Sequence, residues 1–228
     1  MVATIAFSPD EIREYAARAG LGFQFMAKEA FMFELMELFA EEEFVLKGGT
    51  AINKGHLPGH QRFSEDLDYD TDYEKREVEA FVRSLGWKIK KEFFTKHSIG
   101  FTLAYTFNET EDAVKAEVSF GLKGGHEKRK AVSDFLPVSK RAEMYTFREL
   151  NRQKEEAILE RKEWKDLYDL YWMSEVNAKE FKIRDMKAFG EVLETLQVPK
   201  TANAYIPSAK RLNWEEIKER MKGYAADE

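Results

Sequence analysis

The sequence predicts an α+β fold, in which a mixed sheet is flanked by helices at both ends of the chain. Short apolar runs and alternating segments, which are typical of strands, are confined to about residues 40–140. Outside that segment, apolar side chains recur at helical spacing. No internal repeat or flexible linker interrupts the chain. We therefore expect N-terminal helices packed on the core over 1–42, the α/β core over 43–143 and a helical region over 144–228.

The composition indicates a folded protein. Hydrophobic residues make up 43% of the 228 residues, which is too many for general disorder. The absence of cysteine excludes structural disulfides, thiolate zinc sites and cysteine nucleophiles. We expect no signal peptide, because the N-terminus lacks a basic segment followed by a long apolar run. No apolar run approaches the roughly 20 residues that span a bilayer, so we expect a cytoplasmic protein without a membrane partner.

Two helices are predicted before the core. Ser8, Pro9 and Glu11 occupy the N-cap, N1 and N3 positions of a capping box, which starts the first helix. The second helix runs from about Gly22 to Phe39, and three glutamates at 41–43 end it.

The core is predicted to alternate strands with short helices. The strands are expected at Phe44–Lys47, Asp66–Asp70, 87–94 (with loose alternation), 98–108 and Val114–Phe120. Short helices are expected from Thr50 to about Lys54 and from Tyr73 to Leu85, the latter closed by Gly86. From about Phe147 the pattern is helical, with a break near Pro199–Pro207 and a last helix that begins near Asn213.

The most informative stretch is residues 44–70, where a strand leads into a Gly-Gly turn at Lys47–Thr50. Backbone N–H groups exposed at such a turn can bind a phosphate. Asp66 and Asp68 follow on the next strand and project from the same face. Two adjacent carboxylates favour Mg²⁺, although a solvated loop of acids would also fit this spacing alone. Metal and polyphosphate together indicate phosphoryl or nucleotidyl transfer.

Glu117 is the candidate third carboxylate. It lies on a later strand, on the face opposite the apolar residues. If that strand lies beside Asp66 and Asp68, three acids converge, as a two-metal site requires. Taken alone, a polar residue on an exposed strand face would be unremarkable. Arg62 and Ser64, just upstream of the aspartates, could contact phosphate oxygens.

Two further groups of charged residues are candidates for binding. Lys154 and Arg161 share one helix face, and Asp166 and Asp169 follow on the next helix, although ordinary surface charges would give the same pattern. Residues 115–141 hold seven Lys and Arg against three acids. This basic segment could bind a nucleic acid, although a solvated loop fits equally well and the net charge of −6 argues against a generic nucleic-acid binder.

In combination, the blocks LKGGTA, RFSEDLDYD and Lys154 through KDLYDLY resemble the AbiEii/AbiGii-type toxins. These proteins belong to the DNA polymerase β-like nucleotidyltransferase superfamily, and the resemblance covers roughly residues 20–175. It implies a polymerase β-like core in which the Gly-Gly turn holds the triphosphate and Asp66, Asp68 and Glu117 bind the metal. It also implies that Lys154 and Asp166 are the basic and acidic residues of the helical motif. Lys165 stands where family members often carry arginine.

The resemblance implies a Mg²⁺-dependent nucleotidyltransferase, with two metal ions that Mn²⁺ can replace. The expected reaction moves an NMP from an NTP to an RNA 3′ end, tRNA first, as the toxin of a type IV-like toxin–antitoxin or abortive-infection system. The expected partners are therefore an NTP, an RNA acceptor and a cognate antitoxin protein. A protein or small-molecule acceptor, or a non-catalytic binding module on the same scaffold, are the alternatives. The expected catalytic residues are Asp66, Asp68, Glu117, Lys154 and Asp166, and the expected nucleotide-binding residues are Lys47, Gly48, Gly49, Thr50, Arg62 and Ser64.

Overall fold

The computed structural model describes residues 5–226, which form seven strands and a series of helices. The strands are β1 (Val45–Lys47), β2 (Asp66–Thr71), β3 (Lys88–Phe94), β4 (Ser98–Phe107), β5 (Thr110–Phe120), β6 (His126–Val132) and β7 (Ser139–Tyr145). The α-helices are α1 (Pro9–Ala19), α2 (Phe23–Phe39), α3 (Gly48–Ala51), α4 (Lys75–Ser84), α5 (Phe147–Arg161), α6 (Trp164–Val176), α7 (Met186–Thr195) and α8 (Trp214–Ala226). A π-helical turn, Ile52–His56, continues α3.

The strands form one seven-stranded sheet in the order β3-β4-β5-β2-β1-β7-β6. The pairs β2–β5 and β1–β7 are parallel, whereas the other neighbours are antiparallel. The predicted fold class, a mixed sheet with flanking helices, is therefore confirmed. The longest strands, β4 and β5, pair along their whole length and form one side of the sheet.

The two N-terminal helices begin and end close to their predicted bounds. Ser8 caps α1 by accepting a hydrogen bond from the Glu11 N–H, and the Glu11 carboxylate accepts one from the Ser8 N–H at 2.8 Å. Helix α2 is apolar on most of its surface, because it lies between the sheet and α1. On the sheet side, the ring of Phe39 stacks on Tyr69 at 4.6 Å. This packing buries the face of β2 that lies opposite Asp66 and Asp68.

The hairpin of β6 and β7 is not predicted by the residue pattern, which gives no strand between 121 and 146. Most of β6 is exposed, and Ala131 is its one fully buried residue. Strand β6 forms an edge of the sheet, so it needs no alternating apolar face and its charges discourage pairing with another chain. Local periodicity consequently carries no signal for it.

The C-terminal helices α5–α8 pack around an apolar cluster of their own, separate from the cluster under the sheet. Helix α5 also contacts α3 and so bridges the two parts. Strand β7 continues to Tyr145, two residues beyond the end predicted for the core, and the three-part division of the chain stays a prediction. Within residues 5–226 the structure contains no helix that is long and apolar enough to cross a membrane.

Candidate active site

Three acidic side chains lie on one face of two neighbouring strands. The register of the parallel pair β2–β5 places Asp68 beside Glu117 and Asp66 beside Lys115. Leu67 and Tyr69 point to the opposite, buried face, as alternation along a strand requires. The pairing of these strands, on which the sequence-based hypothesis depended, is thus observed.

The carboxylates of Asp66 and Asp68 differ from their neighbour on the same face, Asp70. Asp70 is fully buried, forms an ion pair with Lys47, and accepts a hydrogen bond from the Tyr145 hydroxyl at 2.7 Å. Across residues 5–226, no group donates a hydrogen bond to the side chain of Asp66 or Asp68 or forms an ion pair with it. Their negative charges consequently have no direct partner in the described part of the chain.

Burial raises the pKa of Asp68 to about 6, and the nearby charges of Asp66 and Glu117 act in the same direction. Lys47 opposes this rise without cancelling it. The ionised form of Asp68 is therefore unfavourable unless further positive charge arrives. Carboxylate oxygens on one strand face with this deficit of positive charge fit a hard cation such as Mg²⁺.

Glu117 is already engaged. The Lys115 ammonium donates to one carboxylate oxygen at 3.0 Å, and the Ser98 hydroxyl donates to the other at 3.0 Å. In the described part of the chain, no three His, Asp or Glu side chains form a ready metal cluster. Glu117 can therefore ligate a metal together with Asp68 only after its ion pair with Lys115 opens.

The Gly-Gly turn lies against the aspartates. Gly48 has a positive φ of +68°, and a Cβ atom there would come within 2.8 Å of Asp68 Oδ2. A Cβ at Gly49 would lie 2.7 Å from Arg62 Nη2 and 3.2 Å from Ser64 Oγ. A larger residue is strained at Gly48 because of its positive φ, and at either position the neighbouring side chain would have to shift to admit a Cβ.

Thr50, Arg62 and Ser64 are buried and lie behind the turn. The Thr50 hydroxyl donates to the carbonyl oxygen of Asp66 at 2.6 Å. The Arg62 guanidinium donates two hydrogen bonds to Asp169, at 2.9 and 2.6 Å. The polar groups of Thr50 and Arg62 are therefore used inside the protein, where they fix the position of the turn.

Lys154 and Asp166 belong to a buried chain of charges that links α5 to α6. Lys154 Nζ lies 3.0 Å from Asp166 Oδ1 and 3.0 Å from Asp169 Oδ2. Arg161 donates two hydrogen bonds to Asp166, at 2.8 and 2.7 Å. Burial acts to raise the pKa of Asp166, but Arg161 and Lys154 hold it below its usual range. Because Asp169 also binds Arg62, the charges continue from α5 to the region behind the turn.

Sequence reasoning did not include Asp169 among the site residues. Its three-residue spacing from Asp166 places both carboxylates on one helix face, and this was the available signal. Asn53 adds a second link, since its amide donates to Asp169 at 3.0 Å and to the Gly49 carbonyl at 2.9 Å. Asp169 of α6 thus binds Asn53 in the π-helical turn, Arg62 before β2 and Lys154 on α5.

A cleft of about 580 Å³ lies between the sheet and α5. Cavities of this size are typical of small-molecule sites. Its sheet side contains Lys47, Gly48, Gly49, Asp68 and Glu117, and its helix side contains the cations Arg152, Lys154 and Arg161 together with Glu156 and Glu160. Lys123, from the basic segment 115–141, also lines the cleft, whereas no motif in the sequence indicates Arg152.

The basic segment 115–141 does not form a single surface. Lys115 pairs with Glu117, Lys140 with Glu37, and Arg129 with Glu127. These carboxylates offset much of the positive charge counted in the sequence. Lys128 and Arg141 instead line a separate cavity together with Glu41–Glu43.

Comparisons with known proteins agree with this geometry. A family model described as "Nucleotidyl transferase AbiEii toxin, Type IV TA system" matches residues 30–227. The structure is similar to JHP933 from Helicobacter pylori, with a TM-score of 0.67 and 21% identity over 90% of this chain and 91% of that chain. It is also similar to the nucleotidyltransferase toxin MenT4 from Mycobacterium tuberculosis, with a TM-score of 0.65 and 16% identity over 95% and 90% of the two chains. No curated protein matches the sequence.

Proposed function

The chain belongs to the AbiEii nucleotidyl transferase toxin family, and from this premise we propose that it transfers an NMP from an NTP to an RNA 3′ end, with tRNA as the first candidate. It is thus a nucleotidyltransferase of a type IV toxin–antitoxin family. The observation that supports the proposal is the cleft in which the unpaired carboxylate of Asp68 on β2 lies opposite the cationic side chains Arg152, Lys154 and Arg161 of α5. Such a cleft can hold a metal-bound triphosphate between its two walls.

We propose Mg²⁺ as the cofactor. Asp66 and Asp68 would hold it, because their oxygens have no partner in the described chain, and Glu117 would join them once Lys115 releases it. When bound, Mg²⁺ would polarise the α-phosphate and neutralise charge on the leaving pyrophosphate. Mn²⁺ suits the same oxygen ligands and would substitute.

The triphosphate is proposed to lie between the Gly-Gly turn and α5. Gly48, Gly49 and Lys47 line this space from the sheet side, and the ammonium of Lys47 is held there by Asp70 and Ser119. Lys154 and the half-exposed Arg161 face it from the helix side, with Asp166 orienting both. Thr50, Arg62 and Ser64 complete the nucleotide site by holding the turn in place. These fixed charges stabilise negative charge that develops during transfer.

Glu117 is the proposed general base. The acceptor hydroxyl forms a new bond to the α-phosphorus, the bond to pyrophosphate breaks, and the hydroxyl proton passes to the Glu117 carboxylate. Ser98 orients that carboxylate through its hydrogen bond.

The family assignment also supports a cognate antitoxin as partner, and we propose the cytoplasm as the site of action because both RNA and NTPs are present there.

The test is incubation of the purified protein with Mg²⁺, total RNA and each α-³²P-labelled NTP in turn. We expect label in a tRNA-sized band with at least one NTP and no label with Asp66→Ala. Label that enters protein or a small molecule instead would replace the proposed acceptor. If no acceptor is labelled and no NTP binds, the non-catalytic binding module becomes the better explanation.

A further inference from the structure

We infer that a second cavity, next to the active-site cleft, binds a backbone phosphate of the acceptor RNA; this inference rests on the proposed transfer to RNA. The cavity has a volume of about 330 Å³ and lies between the first half of α5 and the loop that follows α6. We call it the basic pocket, and its charged lining residues are Arg148, Arg152, Lys179, Glu180, Lys182 and Arg184.

The basic pocket concentrates positive charge on a protein whose net charge is −6. Five cationic side chains line it, against a single carboxylate, Glu180. Glu180 lies 3.3 Å from Arg148, and Arg152 pairs with two glutamates of its own helix. Across residues 5–226, no carboxylate forms an ion pair with Lys179, Lys182 or Arg184. These three exposed cations are therefore free to attract an anion.

Asn151 provides an unused hydrogen-bond donor at the wall of the pocket. Its side chain is 2% exposed, and its Oδ1 accepts a hydrogen bond from the Lys182 N–H at 2.8 Å. That bond fixes the amide orientation, yet Nδ2 has no partner. A buried unsatisfied donor costs about 1–3 kcal/mol, and an anion oxygen is a suitable acceptor.

The loop that carries the cations is held in a fixed shape by buried side chains of α5. Glu155 accepts hydrogen bonds from the N–H groups of Arg184 and Asp185, at 2.7 and 2.9 Å. Together with the Asn151 bond, these contacts tie residues 182–185 of the loop to the helix. The pocket therefore exists before a ligand binds, which lowers the entropy cost of binding.

The position of the pocket points to the RNA chain as the source of the phosphate. Arg152 lines both the pocket and the active-site cleft. Arg148 and Lys154 are six residues apart on α5, which corresponds to about 9 Å along the helix axis. An RNA whose 3′ end reaches Glu117 would therefore pass the pocket with a phosphate upstream of that end. Such a contact would position the strand without reading its sequence.

The test compares two triple variants that remove the same charges. Lys179→Gln, Lys182→Gln and Arg184→Gln alter the pocket, whereas Arg76→Gln, Lys91→Gln and Lys96→Gln remove exposed cations on α4, on β3 and just after β3, which line neither the pocket nor the cleft. Affinity for fluorescently labelled tRNA is measured directly over a range of salt concentrations, with the KM values for RNA and NTP as second readouts. Because binding is measured directly, the pocket is tested whether or not nucleotide transfer occurs.

The pocket variant should bind RNA at least tenfold more weakly, with a salt slope shallower by about 0.7, as the loss of one phosphate contact predicts. Its KM for NTP should remain that of the wild type, and the control variant should bind RNA normally. Asn151→Asp, which keeps the acceptor but removes the donor, should weaken RNA binding as well. Unchanged RNA affinity in the pocket variant, an equal loss in the control, or a rise in the KM for NTP alone would overturn the inference.

If the wild type transfers label to RNA while the pocket variant behaves normally, the inference fails and the proposed function stands. If the wild type binds RNA through the pocket but transfers no nucleotide to it, the proposed function fails and the pocket stands. If the wild type binds no RNA, both are overturned.

Discussion

Replacing Asp68 by asparagine should stabilise the metal-free protein at neutral pH. Burial and two neighbouring carboxylates raise the pKa of Asp68 from 3.8 to about 6, so the folded protein resists its ionisation. A shift of about 2 units corresponds to about 3 kcal/mol. Because Asp68 is partly exposed, solvent screening reduces the expected gain to about 1–3 kcal/mol. Asparagine loses no hydrogen bond at this position, since none of the groups in residues 5–226 donates to Asp68.

The gain should depend on pH in a defined way. The folded-state pKa lies above the unfolded value, so the wild type is most favoured below pH 3.8 and loses stability as the pH rises to about 6. Above about pH 6, ionisation of Asp68 causes no further loss of stability. Asp68→Asn should therefore match the wild type near pH 4 and exceed it above pH 6. For a chain of this length, the melting temperature should rise by about 2–12 °C at pH 7.5.

The measurement is urea and thermal unfolding at pH 4 and pH 7.5, in EDTA and in Mg²⁺. Added Mg²⁺ should stabilise the wild type and leave the variant unaffected. The stability advantage of the variant over the wild type should therefore shrink or reverse in Mg²⁺. The control is Asp70→Asn on the same face of β2, which should destabilise the protein because Asp70 pairs with Lys47 and Tyr145. An Asp68→Asn variant that is no more stable than the wild type in EDTA at pH 7.5 would refute the reasoning.

Three further outcomes follow from the contacts of the site. Asp169→Ala removes the two hydrogen bonds that the buried guanidinium of Arg62 donates to Asp169. Chemical denaturation should therefore show a free energy of unfolding lower by about 3–5 kcal/mol, and a decrease below 1 kcal/mol would contradict this. Gly48→Ala places a Cβ 2.8 Å from Asp68 Oδ2 at a residue with positive φ, so the free energy of unfolding should fall by about 1–2 kcal/mol and nucleotide transfer should be at least tenfold slower. The control is Gly59→Ala, which also has a positive φ but no atom within 4 Å of the added Cβ. It should lose stability but keep activity. Chelation with EDTA should abolish labelled-NTP transfer, and excess Mg²⁺ or Mn²⁺ should restore it; activity that persists in EDTA would exclude the metal assignment.

The strands and the capped helix could be predicted because their signals are local. Alternation along β4 and β5, and the Ser8–Glu11 capping box, each depend on residues within one element. The edge strand β6 escaped prediction because it has solvent on one side and needs no apolar repeat. The alternation of apolar and polar residues reflects the burial of one strand face, so a strand that is mostly exposed shows little alternation.

The roles of the polar residues divide in the same way. The sequence indicated a triphosphate contact for Arg62, because an arginine near a Gly-Gly turn and an Asp-x-Asp suits phosphate. In the structure its guanidinium is committed to Asp169, far along the chain. Asp169 was noted beside Asp166 but was not given a role in the site, since charges on an amphipathic helix are ordinarily exposed. Whether a charge is free for a ligand depends on which distant side chain reaches it, and no spacing encodes that.

By itself, the sequence determined the mixed fold, the glycine turn and the pairing of Asp66 and Asp68 on one face, because these follow from the period of a strand and the absence of a side chain in glycine. The tertiary structure alone decided that β5 lies beside β2, which brings Glu117 to Asp68, and that Lys115 pairs with Glu117. It also decided which aspartates are neutralised by cations and which remain unpaired. The physical reason is that strand order and ion pairing join residues distant in the chain, and their energies depend on burial that exists only after folding.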